Sequence, residues 1–482
     1  MQTNTKINRC DCIFLGFALA LCFCVGAFSF WLGFPGFIQD TDTFRVLDFV
    51  LEDFGPPMNT LFIWLITLIF GKHTFYLFLL NNITLYLGIW FLIAGFYLRF
   101  RSVVALVFIF IAFIGNIYLG NFIAMNYILM ANFIFCAYSV ILFLILAKQC
   151  VGKRIRVGLL ILALVLLFLG LLWRHNAIFS AFPAFFIIGY MFFKDSPIRR
   201  FAIFVAMSAV LCLAIVVELP KFVPKSYNAY PSNQLLLLQI AGACVPADDA
   251  SCFDDSWYYV DVKVANFDNV KKAYQSNPLN GDLFGCGWNI FECGKLNGLV
   301  SAWIRAIAKY PRNFLAHESR FFKAMWWQNP RDDDEWGHAK SVIKTPNRLQ
   351  EKPTGEYRLN ILKNYPKDEW SISLSPLQEK IYTLFYDNLP VANHAIFVAV
   401  GFALLIFSAV VIILWRKQTR DKSLIIFTFA TALTAFASAF IIAAMTIVTH
   451  SRYMSPVPIF SIIALVGFVA FVLDYRAKKT RI

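Results

Sequence analysis

Two carboxylates stand two residues apart in Asp40-Thr41-Asp42, shortly after the first long apolar run of the chain. A carboxylate at a membrane surface can act as a general base that takes a proton from an attacking hydroxyl. The same D-x-D spacing is typical of sites that hold a divalent metal and a nucleotide-sugar diphosphate. A loop with solvated acids, or a helix N-cap, is the alternative interpretation.

Two short cationic segments each separate a pair of apolar runs. They are Arg174-His175-Asn176 and His450-Ser451-Arg452-Tyr453. An arginine pressed against a membrane surface can hold a lipid phosphate through charge-assisted hydrogen bonds. The alternative is a tight turn whose arginine extends toward water. If these segments lie on the same side of the membrane as Asp40, they predict a place where a lipid-linked phosphate lies beside a carboxylate. His175 and His450 would assist there or orient the groups.

A second acidic segment, Asp332-Asp333-Asp334-Glu335, also has the residue types of a metal site. Because Arg331 precedes it in a polar stretch, a solvated loop is the favoured interpretation. The sequence therefore predicts no metal site and no required cofactor.

Four of the 11 cysteines lie in the polar stretch between the apolar runs: Cys244, Cys252, Cys286 and Cys293. In an oxidising compartment, four such cysteines predict two disulfides, for which three pairings exist. Close spacing favours Cys244–Cys252 and Cys286–Cys293. A zinc site, whose usual spacings are absent, and four free thiols are the alternatives.

The composition limits the class of protein that can position these residues. Of 482 residues, 59% are hydrophobic and 15% charged, whereas a soluble domain carries roughly 25% charged residues. A disordered chain, a small disulfide-rich toxin and a soluble multidomain enzyme are excluded. We expect an all-α polytopic membrane protein.

Ten apolar runs, most of them near the ~20 residues that cross a bilayer, contain no Asp, Glu, Lys or Arg. They are Cys12–Phe34, Phe75–Leu98, Ser102–Leu119, Phe122–Ala147, Val157–Trp173, Ala177–Phe193, Phe201–Val217, His394–Trp415, Ser423–Val448 and Met454–Leu473. The first is too long for a signal peptide, and we interpret it as a retained helix. Met58–Phe70 is shorter, and after Pro56 and Pro57 it predicts a juxtamembrane helix on the outer membrane surface.

Basic clusters in the short loops set the orientation. Nineteen basic and four acidic residues share one side, and 24 basic and 25 acidic residues make up the rest of the chain. By the positive-inside rule, both termini are cytoplasmic, and the two long loops and all six histidines lie outside. A nucleotide-sugar donor is then rejected for Asp40-Thr41-Asp42, because nucleotide sugars are made in the cytoplasm. A nucleic-acid partner is rejected because the charges do not share one face of one domain.

Three parts follow from this topology. Residues 1–217 form an N-terminal transmembrane module whose first outer loop, 35–74, carries the candidate catalytic acids. Residues 218–393 form a mixed extracytoplasmic loop domain, in which 301–327 predicts two helices broken at Pro311. Residues 394–482 form the C-terminal transmembrane helices.

With these motifs the chain resembles the GT-C glycosyltransferases, most of all the branch of protein O-mannosyltransferases and the lipid A aminoarabinose transferase. Asp40-Thr41-Asp42-Thr43-Phe44 is similar to the D-x-x-x-Y of that branch, with Phe for Tyr. Gly55-Pro56-Pro57-Met58 leads to Ile69-Phe70-Gly71, like the proline-containing juxtamembrane helix of the branch. The motifs are confined to about the first 130 residues. Gly55 and Pro56 stand where many relatives carry His or Lys, and Asn126 stands where some carry a second acid.

The resemblance implies a membrane glycosyltransferase that takes a sugar from a polyprenyl-phosphate donor. Asp40, or Asp42, would activate an acceptor on a glycan, lipid or protein, and the anomeric carbon would invert. Arg174 and Arg452 would neutralise the leaving phosphate. The implied location is the inner (plasma) membrane, with the large loop periplasmic or extracellular, and membrane lipids are the other expected partners.

Two alternatives to this function are kept open. A lipid-linked glycan ligase or polymerase would also need outer arginines, but not the Asp40 loop. A lipid or glycan transporter usually carries paired ionisable residues at the bilayer midplane and repeated halves, and neither is evident in this sequence.

Overall fold

The computed structural model describes residues 7–34, 46–49, 51, 57–118, 126–223, 230–259, 266–285, 290–327, 365–366, 375–388, 393–416, 421–449 and 451–479. Its α-helices, in chain order, are α1 (Arg9–Gly33), α2 (Pro57–Phe70), α3 (Tyr76–Phe100), α4 (Val107–Tyr118), α5 (Asn126–Leu146), α6 (Lys153–Trp173), α7 (Ile178–Ala181), α8 (Ala184–Phe193), α9 (Ile198–Leu213), α10 (Pro231–Cys244), α11 (Phe267–Ser276), α12 (Leu299–Lys309), α13 (Pro311–Trp327), α14 (Pro376–Asn388), α15 (His394–Leu414), α16 (Ser423–Met445) and α17 (Pro456–Lys479).

Within these ranges, eight helices are long and apolar enough to cross a membrane, which confirms a multi-pass all-α membrane protein. They are α1, α3, α5, α6, α15, α16, α17 and the helix that α9 continues to Phe222. That last helix runs past the predicted end at Val217 because a π-turn and a 3₁₀ turn extend it. The described part of the predicted run Ser102–Leu119 forms a short 3₁₀ turn followed by α4, which is shorter than these eight helices.

Hydropathy predicts a single span over Ala177–Phe193, but the structure has two helical segments there. A 3₁₀ turn (His175–Ala177) and α7 are bent by 40° from α8. Pro183 lies at the break, where its ring cannot continue the hydrogen bonds of the preceding turn. Counted as one span, the pair brings the number of candidate spans to nine.

Small residues bring the central helices close together. An added Cβ at Gly88 of α3 would lie 2.7 Å from the Phe135 ring of α5. One at Gly170 of α6 would lie 2.6 Å from Ile134 of α5. Such close approach gives packing contacts that hold helices together where the surroundings are as apolar as the side chains.

Ion pairs join both ends of the chain at one face of the bundle. Asp11 at the start of α1 is buried and pairs with Arg101, just after α3. Asp474 near the end of α17 pairs with Arg99 and with Lys478. We call this the termini face, and the opposite end of the bundle the loop face.

The described part of the 218–393 segment is helical. It contains α10 to α14 and isolated β-bridges, for instance between Tyr258 and Phe291, rather than the mixed structure expected from the sequence. The predicted helix pair broken at Pro311 is confirmed as α12 and α13. We refer to residues 230–327 as the loop domain.

One predicted disulfide is confirmed, because Cys244 and Cys252 are bonded at the end of α10. This pair excludes the two other pairings. Cys293 is exposed, and Cys286 lies outside the described residues, so their bond stays a prediction.

Candidate functional site

The predicted acids Asp40 and Asp42 lie outside the described residues, but both flanks of their loop are described. On the α1 side, the side-chain amide of Gln378 donates to the backbone oxygens of Trp31 (2.8 Å) and Leu32 (3.3 Å). On the other side, the Tyr365 hydroxyl donates to the backbone oxygen of Leu47. The large loop therefore contacts the chain just before and just after the segment that carries the two acids.

The helix predicted over Met58–Phe70 is confirmed as α2, which follows the acidic loop, and its place at the outer membrane surface stays a prediction. Its inward side buries Asn59, Thr60 and Ile63, while Trp64 and Leu68 are exposed. This division is typical of a helix that lies at an interface with one face on protein and the other on lipid.

Arg174 is positioned by the tryptophan before it. Trp173 ends α6 and is buried, with its ring 5.7 Å from Phe62 of α2 and 5.5 Å from Phe133 of α5. Arg174 then takes an extended backbone and is half-buried, and His175 is exposed. The contact between Phe62 and Trp173 therefore places α2 next to the start of the first cationic turn.

Buried hydroxyls attach the segment after Arg174 to α16. Ser180 of α7 shares a hydrogen bond of 2.8 Å with Ser438, and its backbone oxygen accepts from Thr434 at 3.2 Å. Tyr138 of α5 reaches the same group, 2.7 Å from the Thr434 hydroxyl. Each unmet polar group would be costly in this apolar interior, so these bonds fix the position of α7.

The second cationic segment begins after α16 ends, and the loop domain holds the chain there. The backbone N–H of Gly281 donates to the Ile447 oxygen at 2.6 Å, and Gln239 donates to the Ala444 oxygen at 3.2 Å. Tyr453 and Met454 are buried in the apolar core of the loop domain. His450 lies outside the described residues, and of Arg452 only the backbone is described, in a 3₁₀ turn (Ser451–Met454).

Both cationic turns therefore contact α16. The side chain of Arg452 lies outside the described residues, so its approach to Arg174 stays a prediction. The turn that begins at Arg174 also lies beside α2, the helix that follows the acidic loop.

Glu318 is a candidate functional acid that the sequence analysis missed. It lies on α13, where the side-chain amide of Gln239 donates to it at 3.0 Å and Trp303 donates to Gln239 at 2.8 Å. Burial raises the pKa of Glu318 to about 7, more than the Gln239 bond lowers it. Such a carboxyl exchanges its proton near neutral pH, as acid–base catalysts do. Its spacing from Phe322 and Trp326 on one helical face was the available signal.

The neighbouring His317 is structural. It is buried, its Nδ1 lies 3.1 Å from the Tyr274 hydroxyl, and burial lowers its pKa to about 4. Gly242 leaves room for the ring, because an added Cβ there would lie 2.4 Å from it. His317 is therefore a neutral part of the domain core at physiological pH.

No group of three or more His, Cys, Asp or Glu side chains able to hold a metal occurs among the described residues. The acidic segment 332–335 lies outside them. No protein-family model, curated protein or solved structure matches the chain.

Proposed function

We propose that this protein is a membrane glycosyltransferase that moves a sugar from a polyprenyl-phosphate donor to an acceptor at the loop face. The observation that carries the proposal is the shared contact of Phe62 with Trp173. It joins the helix that follows the Asp40 loop to the residue preceding Arg174. A general base and a phosphate-binding cation are the two groups that such a transfer needs.

The roles divide by charge. Asp40, or Asp42, accepts the proton of the acceptor hydroxyl or amine, whose oxygen or nitrogen forms the new bond to the anomeric carbon. The bond from that carbon to the phosphate oxygen breaks on the opposite side, so the configuration inverts. Arg174 and Arg452 stabilise the negative charge that collects on the departing polyprenyl phosphate.

An apolar cleft within the bundle supports a lipid-linked donor. It runs between α3, α4 and α17, and its lining includes Leu85, Ile89, Phe108, Ala112, Ile459 and Ile463. One helical turn toward the loop face, Asn132 donates to Asn81 at 3.4 Å. Among the described residues, the Asn81 Nδ2 and the Asn132 Oδ1 have no hydrogen-bond partner although both are buried. A chain of isoprene units suits the cleft, and a polar head group would satisfy these two atoms.

The proposal includes ten crossings with both termini in the cytoplasm of an inner (plasma) membrane. Asp11 and Asp474 meet Arg101 and Arg99 at one face, so the chain crosses an even number of times. Eight long helices and the bent pair give nine crossings, and α4 supplies the tenth. Basic loops at the termini face agree with the positive-inside rule.

The test is transfer of radiolabelled sugar from a mixture of polyprenyl-phosphate sugars to endogenous acceptors, in membranes with equal amounts of each variant. We expect the native chain to transfer label and Asp40→Asn to lose about 10²-fold or more, the usual contribution of a general base. Loss of transfer in Asp42→Asn alone would identify Asp42, rather than Asp40, as the general base. Equal transfer by all three chains would contradict the Asp mechanism and favour a glycan ligase. No transfer by the native chain would reject this donor class and favour a transporter.

A further inference from the structure

The membrane end of α13 lies deeper than the end of a spanning helix. The Trp326 ring N–H contacts the Ala439 backbone oxygen of α16 at 3.4 Å, and the Phe322 and Phe440 rings are 5.1 Å apart. Helix α16 ends at Met445. At 1.5 Å per residue, Ala439 lies about 9 Å inside that end. The last turns of this loop-domain helix are therefore level with the outer part of a candidate span.

The side of α16 next to α13 is exposed and apolar. Phe440 is 48% exposed and Met445 60% exposed. In a membrane helix, large exposed apolar side chains face lipid. Because Phe322 contacts the Phe440 ring, lipid reaches the edge of α13 at this point. Trp327, which is 56% exposed at the end of α13, is the residue type that favours the membrane–water boundary.

The exposed side of α13 carries only positive charge. Its exposed residues are Pro311, Arg312, Leu315, Ala316, Ser319, Arg320, Lys323 and Trp327. Glu318, the only acid of α13, lies on the side that binds Gln239. Gln239 also reaches Ala444, so Glu318 is near the end of α16. From Glu318 to Trp326, α13 therefore runs alongside α16 from Ala444 to Ala439. This separation of about five residues along α16 corresponds to a depth of roughly 7 Å along its axis.

Arg320 and Lys323 fall within that depth. A cation there either extends to water or meets a lipid phosphate, and the phosphate gives charge-assisted hydrogen bonds. We infer that α13 is an interfacial helix that anchors the loop domain to anionic phospholipid headgroups through Arg320 and Lys323. The inference does not depend on the proposed enzymatic activity.

The test compares the full chain in nanodiscs of zwitterionic lipid alone and of zwitterionic lipid mixed with anionic phospholipid. Hydrogen–deuterium exchange of the amides of residues 311–327 is measured in both. A cation near an anionic surface contributes about a fivefold factor. We therefore expect exchange up to about 25-fold slower with anionic lipid, and no such difference in Arg320→Gln/Lys323→Gln. The matched control is Lys272→Gln/Lys295→Gln, which removes two exposed cations of the same domain elsewhere and keeps the difference.

Three results would overturn the inference. The first is equal exchange of the native α13 in both lipid mixtures. The second is a lipid dependence that survives in Arg320→Gln/Lys323→Gln, since another part of the domain would then bind the headgroups. The third is slowing that depends on protein concentration rather than on lipid, which would assign the surface to a second copy of the chain.

Discussion

Glu318 shows how one side chain can couple the loop domain to pH. Burial raises its pKa in the folded protein to about 7 from an ordinary value of 4.5, so the folded chain holds this proton more tightly than the unfolded chain. Between these two values the folded state binds more protons, and its stability falls as the pH rises.

We predict that the unfolding temperature of the native chain falls relative to that of Glu318→Gln between about pH 4.5 and pH 7. Above that range the difference stays constant, because the carboxyl is ionised in both states. The glutamine keeps an oxygen that accepts from Gln239, so only the titration is removed. Thermal unfolding of both chains across this pH range measures the effect, with Glu379→Gln as a control at an exposed acid. Parallel curves for the native chain and Glu318→Gln would contradict the assignment.

At the same scale, the sequence predicted some residues and missed others for a clear reason. The Cys244–Cys252 pair was predictable because eight residues of separation keep two thiols close. Glu318 was not, because its pKa is raised by burial, and the segments that bury it, including the one that carries Gln239, lie far away in the chain and meet it only in the fold. The roles of Asp40, Asp42, His450 and Arg452 stay predictions.

Among the elements, α7 is the part whose position decides where Arg174 lies. It is only four residues long, too short to be a stable helix alone. Its bonds to α16 through Ser180 therefore hold the turn that carries Arg174 and His175.

We predict an interaction energy of about 0.6 kcal/mol, and at most about 1.7 kcal/mol, between Ser180 and Ser438, as is typical of side-chain hydrogen bonds within membranes. A double-mutant cycle with Ser180→Ala, Ser438→Ala and both, read by reversible unfolding in detergent, measures it. Ser208→Ala provides a control, because among the described residues that hydroxyl donates within its own helix, to the Phe204 oxygen. Strictly additive losses at Ser180 and Ser438 would mean that this bond does not fix α7.

Helix boundaries were predictable where hydropathy alone sets them. The helix after Pro56 was expected over Met58–Phe70 and is found over Pro57–Phe70. The bend between α7 and α8 was missed, since hydropathy continues smoothly through Phe182 and Pro183. The extension of α9 to Phe222 was missed because Glu218 ended the apolar run, although its backbone continues in helical turns.

In the whole molecule, the segment between residues 218 and 393 and the membrane helices form one connected structure. Gly281 donates to the backbone just after α16, and Gln378 donates to the backbone at the end of α1. Trp326 contacts the backbone of α16 itself. The sequence predicted separate modules because composition changes sharply at about residue 218. It could not predict these contacts, which join residues more than a hundred positions apart.

The proposed function predicts that donor binding and sugar transfer can be separated by mutation. In the proposed mechanism Arg174 contributes to phosphate binding, whereas Asp40 acts only on the acceptor proton. Removing the Arg174 side chain should weaken the complex with the donor. Removing the Asp40 carboxylate should leave that complex intact but inactive.

The most direct measurement uses one purified preparation of each chain and records both donor affinity and transfer with the same polyprenyl-phosphate sugar. We expect Asp40→Asn to bind like the native chain and to transfer at least about 10²-fold more slowly. We expect Arg174→Gln to bind about tenfold or more weakly, as loss of a charge-assisted hydrogen bond requires. Lys295→Gln, which removes an exposed cation of the loop domain, should change neither. Native binding and native transfer in both Asp40→Asn and Arg174→Gln would contradict the proposed site.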